Sequence, residues 1–149
     1  MEDTKYIVRI YNTDIEGTRN LLYGLTKIKG VSVMMANAVL SKAGINRETK
    51  IGDLKDEDVE RLNDILKNPK KYEIPSWMYN RRKDYDTGED MHLLTTDLKL
   101  MKDEDIKRMR KTKSYKGVRH GLKLPVRGQR TKSNFRKNKG KVTGVKRKK

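Results

Sequence analysis

Two histidines are the only side chains in this 149-residue chain that titrate near neutral pH, and no cysteine accompanies them. His92 and His120 lie far apart in the sequence and, without thiolates, make a poor set of zinc ligands. Acidic residues cluster at 56–58 and 103–105, but lysines beside them favour a solvated helix turn over a catalytic pair. No phosphate-binding P-loop, nucleophile elbow or histidine-based metal motif is present. The sequence therefore predicts no catalytic site, no metal and no cofactor.

The net charge of +17 is distributed very unevenly along the chain. Residues 1–109 contain 20 Lys and Arg against 20 Asp and Glu, whereas residues 110–149 contain 17 Lys and Arg and no acidic residue. We call residues 110–149 the basic arm. Self-repulsion is expected to keep such an arm disordered when free, and a polyanion would neutralise it with release of counterions.

Apolar residues repeat at helical spacing through much of the neutral part of the chain. An extended segment is predicted at 6–11 and a turn at 14–17. Four helices are predicted to begin near Thr18, Ser32, Asp53 and Thr95. The first three are predicted to end near Gly30, before Gly44 and at Asn68-Pro69. The last helix is expected to face inward with Leu98, Met101, Ile106 and Met109.

These elements predict a mostly α protein, namely a small helical domain followed by a long, basic, extended C-terminal tail. We place the helical domain at 1–110, with an irregular insert at 69–93, and the basic extension at 111–149. Hydrophobic residues make up only 34% of the chain, so the core is expected to be small. The apolar stretch at 31–40 is far short of the ~20 residues that a membrane span needs. The acidic, polar N-terminus does not resemble a signal peptide.

The predicted turn between the first two helices offers a candidate phosphate site. Lys27 and Lys29 flank the approach to Gly30, and backbone N–H groups at the start of the second helix could face an anion. An ordinary helix–helix turn with solvated lysines explains the same residues equally well. Both interpretations stay open at this point.

A second candidate lies in the insert, where an aromatic pair precedes a run of basic residues. Trp77 could stack on a base, but a lone tryptophan beside a proline is more often part of a core, and we expect it there. Arg81 and Arg82 are better placed to contact phosphate. His92, among acidic and apolar residues, is expected to be structural.

The most informative stretch is 115–137, which mixes residue types that RNA contacts require. Its arginines can form forked hydrogen bonds to phosphates, and its glycines allow close backbone approach. Neutral donors and acceptors at Gln129, Thr131, Ser133 and Asn134 suit sugars and phosphates, while Tyr115 and Phe135 could stack on bases. His120 could donate to phosphate or stack on a base. A purely unspecific polycation would need only lysine, so this composition predicts a defined, folded partner.

These residues also resemble a known family. The block Leu124-Pro-Val-Arg-Gly-Gln-Arg-Thr-Lys-Ser133, preceded by Gly117-Val-Arg-His120, is similar to the signature of the universal small-subunit ribosomal protein number thirteen, which is number eighteen in the eukaryotic naming. Further similarity covers nearly the whole chain and includes Asp14–Gly17, Gly30, Ile74–Trp77, Asn80–Asp84 and Val142–Val145. The insert resembles the archaeal and eukaryotic branch. The chain departs from the family at Ser32 and Lys123, where glycine is usual.

The resemblance implies a helix-two-turns-helix domain in the head of the small ribosomal subunit and a location on cytoplasmic ribosomes. It implies contacts with small-subunit rRNA, with the small-subunit protein number nineteen and with a large-subunit protein across an intersubunit bridge. By the same resemblance, the rRNA-binding candidates in the arm are Arg119, His120, Arg127, Gln129, Arg130, Lys132 and Arg136. The end of the tail, Lys146, Arg147, Lys148 and Lys149, would approach the tRNA sites, which makes tRNA a further candidate partner.

Two other classes of function remain as alternatives. Base-excision DNA glycosylases also contain a helix-two-turns-helix domain, but they need an N-terminal proline nucleophile and usually a zinc finger; residue 2 here is Glu, and cysteine is absent. A general polyanion compactor or membrane-surface binder would show equal affinity for any polyanion. The mixed composition of 115–137 argues against it.

Overall fold

The chain begins with a β-hairpin. A computed structural model describes residues 5–132, in which β1 (Ile7–Ile10) pairs antiparallel with β2 (Thr13–Glu16). Tyr11 and Asn12 form the two-residue turn, with φ of 43° and 57°. Positive φ at both central positions is the geometry that matches the twist of paired strands.

The turn predicted at 14–17 is therefore wrong, because most of that segment is β2. Ile15 lies opposite Val8 in the ladder, and both side chains are buried. Burial of this pair stabilises the Asp-Ile-Glu segment as a strand, although its composition is typical of a turn.

Two short helices follow and are joined by successive turns. α1 spans Leu21–Leu25 and α2 spans Val33–Ala43. Between them, the N–H of Lys27 donates to the carbonyl of Gly24, and the N–H of Val31 donates to the carbonyl of Ile28, both at 3.0 Å. This is the helix–turn–turn–helix arrangement that the family resemblance implies.

The start of α2 is confirmed, whereas that of α1 is not. Ser32 is the N-cap of α2, and its Oγ accepts from the N–H of Met35 at 3.3 Å. α1 begins at Leu21 instead of near Thr18. The reason is that Leu21 N–H donates to the carbonyl of Thr49 at 2.9 Å, which holds the preceding residues against a neighbouring segment.

The third helix ends where predicted, and Leu62, Ile65 and Leu66 form its buried face. α3 spans Asp56–Lys67, with acidic residues in its first turn, where they complement the helix dipole. A 3-10 turn at Ile51–Asp53 precedes it, so the helix starts slightly later than predicted. Asn68 caps the C-terminal end. α2 packs against both α1 and α3.

The insert at 69–93 has little regular structure, as predicted, apart from a 3-10 turn at Ser76–Met78. Side chains hold it in place. Asn80 donates to and accepts from the backbone of Leu93, at 2.6 and 2.9 Å. Arg81 and Met91 form an isolated antiparallel bridge.

Two helices form the rest of the described chain. α4 spans Thr95–Lys111 and α5 spans Tyr115–Gly121. The predicted inward face of α4 is only half-buried, and no residue of this helix is fully buried. α5 is a helix inside the segment that was predicted to be extended.

The mostly helical class is confirmed. Backbone contacts divide the chain after Met101 into an N-terminal unit and a basic unit. The hydrophobic core of the described residues lies entirely in the N-terminal unit, from Val8 in β1 to Leu94 just before α4.

Candidate nucleic-acid interface

The basic unit is built on a tight contact between α4 and α5. Ser114 is the N-cap of α5: its Oγ accepts from the N–H of Gly117 at 3.2 Å and donates to the carbonyl of Met109 at 3.0 Å. A Cβ added to Gly117 would lie 2.0 Å from the carbonyl oxygen of Met109. Only glycine permits this approach, so Gly117 sets the position of α5 against the end of α4.

The C-terminal end of α5 orients the first predicted RNA-binding residues. Lys123 N–H donates to the carbonyl of His120 at 3.1 Å, and Leu124 N–H donates to that of Arg119 at 3.0 Å. These two bonds, with Lys123 at φ 56°, form a Schellman end. Lys123 is the residue at which the chain departs from the glycine usual in the family. It occupies a left-handed position, a conformation that glycine adopts more easily than lysine.

Arg119 is oriented by contacts inside the same segment. Its Nε donates to the carbonyl of Pro125 at 3.0 Å, and its guanidinium carbon lies 5.9 Å from the centre of the Tyr115 ring. One edge of the guanidinium is thereby engaged, which fixes the direction of the remaining donors. Arg119 and His120 are half-buried.

The segment after Pro125 is exposed and lacks regular structure up to the last described residue. Arg127 N–H donates to Oε1 of Gln129 at 3.0 Å, so Gln129 shapes the local turn. Arg130 and Lys132 are exposed. Arg136 and the tail residues Lys146, Arg147, Lys148 and Lys149 lie outside the described residues.

The electrostatics of this region follow directly from its sequence. Within the basic unit, the described ion pair is between Asp105 and Arg108, at 2.8 Å. From Arg110 to Lys132 there are nine Lys and Arg residues and no acidic residue. Their charges have no carboxylate in their own segment to neutralise them.

The other predicted phosphate site, at the first helix turn, has a different character. Lys27 Nζ pairs with Oε1 of Glu16 at 3.2 Å, and hydrogen bonds from Arg19 and Lys27 lower the pKa of that carboxyl. Lys29 is exposed, while its carbonyl accepts from Thr95 N–H at 2.8 Å.

Gly30 has a packing role in this turn. Its φ is 104°, and an added Cβ would lie 2.5 Å from the carbonyl oxygen of Leu93. The turn therefore needs glycine in order to pack against the end of the insert. This favours the interpretation of a structural turn over that of a phosphate site.

In the insert, the two predicted arginines are placed differently. Arg81 forms an ion pair with Asp84, a buried carboxylate that also accepts from the N–H and Oγ1 of Thr87 at 3.3 and 3.1 Å. These partners, with Arg81 foremost, lower the pKa of Asp84 to about 2. Arg82 is exposed.

The expectation that Trp77 belongs to the core is wrong, because its side chain is 66% exposed. The adjacent Tyr79 is buried in its place and donates its hydroxyl to the carbonyl of Ile74 at 3.0 Å. No feature of the local sequence distinguishes these two aromatic residues.

His92 has a structural role in the insert, as expected. Its Nδ1 accepts from the N–H of Asn80 at 3.3 Å, and burial lowers its pKa. Among residues 5–132, no group of three or more His, Cys, Asp or Glu side chains could hold a metal ion. In the same part of the chain, no helix is long and apolar enough to cross a membrane.

These features define a class of protein: a small helical domain followed by an acid-free cationic segment. Comparison with known proteins gives the family. Residues 9–137 match the model described as "Ribosomal protein S13/S18". The chain belongs to this family, which consists of structural components of the small ribosomal subunit and not of enzymes.

Relatives at about half identity span essentially the full chain. A "Small ribosomal subunit protein uS13" from Methanothermobacter thermautotrophicus is 55% identical over 148 residues, covering 99% of this chain and 98% of the relative. Proteins with the same description from Methanopyrus kandleri and Staphylothermus marinus are 48% and 50% identical, covering 99% and 97% of this chain and 97% and 94% of their own lengths. These relatives are archaeal, in agreement with the branch that the insert resembles.

Proposed function

We propose that this chain binds small-subunit rRNA in the head of the ribosome, chiefly through its basic arm. The observation that carries the proposal is the run of nine cationic residues from Arg110 to Lys132 with no acidic residue among them. Phosphates would supply the missing counter-charge. The N-terminal unit ends at Met101, contains 17 Lys and Arg and 17 Asp and Glu, and supplies shape and protein contacts.

The geometry of α5 supports a specific contact instead of a diffuse one. Ser114 fixes its start, Gly117 fixes its distance from α4, and Lys123 ends it. Arg119 is held by Pro125 and lies over Tyr115, so its direction is set before RNA binds. A preorganised guanidinium loses less conformational entropy on binding a phosphate than a free lysine side chain does.

The segment that follows α5 suits a close approach to the phosphate backbone. Arg127, Gln129, Arg130 and Lys132 are all exposed. Arg136, further along, would extend the same contact. In this proposal the 111–149 extension is the rRNA-binding part and 1–110 is the head domain.

Finer assignments rest on the family resemblance. The N-terminal unit would contact the small-subunit protein number nineteen and a large-subunit protein across the intersubunit bridge. Lys146, Arg147, Lys148 and Lys149 would approach tRNA during translation. The exposed Lys29 and Arg82 would make secondary rRNA contacts, an assignment that comes from their residue types and exposure and not from the resemblance. Lys27, Gly30 and Arg81, which were predicted with them, have structural partners within the N-terminal unit. Cytoplasmic ribosomes would be the site of action.

The salt dependence of binding tests the proposal. A chain that neutralises ~10 phosphates of small-subunit rRNA should show log K falling against log salt with a slope of roughly −7 to −9. Replacing Arg127, Arg130 and Lys132 together with Gln should reduce the steepness by about 2–3, because three phosphate contacts are lost.

A matched control removes the same charge from the N-terminal unit. Lys5, Lys42 and Lys71 each pair with a carboxylate there, namely Asp56, Glu73 and Asp64. The triple Gln variant at these lysines should leave the slope unchanged. A slope near −2 for the full chain, or equal effects of the two triple variants, would contradict the assignment of rRNA binding to the basic arm.

A further inference from the structure

Trp77 is held on a fixed turn with its indole in solvent. It lies in the 3-10 turn Ser76–Met78, in which the carbonyl of Ser76 accepts from the N–H of Tyr79 at 3.0 Å. Met78 packs against the core, and the buried Tyr79 donates to the carbonyl of Ile74. A large aromatic side chain that is 66% exposed beside such anchors is an unusual use of tryptophan, which is highly buried on average.

The indole lines a shallow cavity with two cationic side chains. The cavity, of about 430 Å³, is formed by Ser76, Trp77, Arg82, Lys83 and Asp90. Arg82 and Lys83 are exposed, and neither forms an ion pair with any carboxylate among the described residues. The one carboxylate of the cavity, that of Asp90, accepts from the backbone N–H of Lys83 at 2.8 Å.

Hydrogen bonds hold the backbone that carries the two cationic side chains. Next to it, the buried Asp84 joins Arg81 and Thr87, and its own N–H donates to the carbonyl of Glu89 at 3.0 Å. The backbone of Lys83 is held by Asp90 at φ 50°. The backbone around the cavity is therefore held before a ligand binds, and the ordering that binding requires falls on the exposed side chains of Arg82 and Lys83.

We propose that this cavity holds one unpaired nucleotide of RNA, with its base stacked on the Trp77 indole and its phosphate contacted by Arg82 and Lys83. An exposed aromatic plane beside two free cations is the combination that recognises a splayed-out base together with its backbone. A duplex does not fit, because its bases are already stacked on one another. The inference rests on the proposed RNA-binding function but adds a contact outside the basic arm.

Trp77 also provides the probe, because it is the only tryptophan of the chain. The full chain is titrated at moderate salt with short single-stranded oligoadenylate, with an RNA duplex of the same length and with heparin, while tryptophan fluorescence is followed. All three ligands can bind the basic arm, but only the first carries bases that are not paired within a duplex. We expect oligoadenylate to quench Trp77 and heparin and duplex to leave its emission nearly unchanged.

Two substitutions complete the test. Trp77→Leu should weaken binding of oligoadenylate about 5- to 150-fold, the range that stacking of one base contributes, and should leave heparin binding unchanged. Trp77→Phe retains an aromatic face and should lose less affinity for oligoadenylate than Trp77→Leu. Because the side chain is exposed, both variants should keep the thermal unfolding midpoint of the parent chain, which confirms that they fold.

The outcomes separate the two proposals. Two results would overturn the nucleotide site alone and leave this surface to a protein partner. One is tight binding of all ligands with the same Trp77 emission in oligoadenylate and in heparin. The other is equal affinity of Trp77→Leu and the parent chain for oligoadenylate. Failure of the chain to bind either RNA or heparin would overturn the proposed function and this inference together.

Discussion

The two units of this protein are stabilised in different ways. In the N-terminal unit the side chains of both strands, of α1 to α3 and of the insert share one buried core. In the basic unit, the only buried residue among those described is Gly117. Tyr115 and Val118 of α5, and Leu122 at its C-cap, expose apolar surface. One unit is organised by hydrophobic burial, the other by helix caps and a close glycine contact.

This difference separates what the chain can do alone from what needs a partner. A buried core gives cooperative folding, whereas capped helices with exposed apolar and cationic faces open locally at low free-energy cost. The basic unit is therefore expected to gain much of its final stability from the surface that it binds.

The largest predicted effect comes from the core. Leu62 in α3 is completely buried, and Leu62→Ala should lower the free energy of unfolding by about 2–5 kcal/mol. Leu122, the C-cap of α5, is 58% exposed. Leu122→Ala should change the free energy of unfolding by less than about 0.5 kcal/mol. Chemical denaturation of the full chain measures both. Equal losses would mean that the basic unit shares a core of comparable quality.

A second comparison uses the same chemical change in both units. Ser32 caps α2 and Ser114 caps α5, with similar Oγ distances of 3.3 and 3.2 Å to the capped N–H. Each Ser→Ala change should remove about 1 kcal/mol from its helix. For Ser32 the loss should appear in global unfolding.

For Ser114 the same loss should appear only as faster hydrogen exchange of α5 amides, with the global midpoint unchanged. A drop in the global midpoint for Ser114→Ala would show that the two units unfold as one.

The end of α5 depends on a residue in the left-handed conformation. Lys123 adopts a left-handed conformation that favours glycine, and Lys123→Gly should stabilise the local turn by about 0.5–1 kcal/mol. The amide of Leu124, which donates to the carbonyl of Arg119, should then exchange a few-fold more slowly. Faster exchange in the variant would count against the Schellman geometry.

The smallest effect concerns pH and the insert. Burial lowers the pKa of His92 below the ordinary 6.5, so the neutral ring is favoured in the folded state. The stability that the neutral His92 ring contributes is fully present above pH 6.5. It is lost as the pH falls through the lower pKa that His92 has in the folded protein. Protonation would also place an N–H against the N–H of Asn80.

The measurement is the thermal midpoint of parent and His92→Asn as the pH is lowered below 6.5. Asn offers an oxygen acceptor near the position of Nδ1 but does not titrate. We expect the parent to lose stability over this range more steeply than the variant. Parallel curves would exclude His92 as the titrating group.

The sequence predicted helices wherever caps and apolar spacing agreed. Ser32 and Asn68 bound α2 and α3 at the expected places because the local signals and the core agree there. The hairpin was missed because its turn, Tyr11-Asn12, has no glycine, and the strand β2 is specified by the burial of Ile15, a tertiary effect.

For the candidate interface, composition predicted a segment of the chain but not the structure of that segment. The absence of acidic residues after position 109 is visible in the sequence, whereas the helix at Tyr115–Gly121 was hidden by its glycines. Ser114 before this stretch was a usable N-cap signal. The exposure of Trp77 depends on which of two neighbouring aromatic residues fills the core, and local sequence does not determine that choice.

The central claim is that this chain is an integral, RNA-bound component of the small ribosomal subunit. Sedimentation of a native lysate through a gradient after a high-salt wash tests it most directly, with the protein followed by a specific antibody. We predict that it remains with the small-subunit fraction, because in the proposed function the basic arm binds a defined RNA fold. Release into the free fraction would contradict this account and favour a peripheral, unspecific polyanion binder.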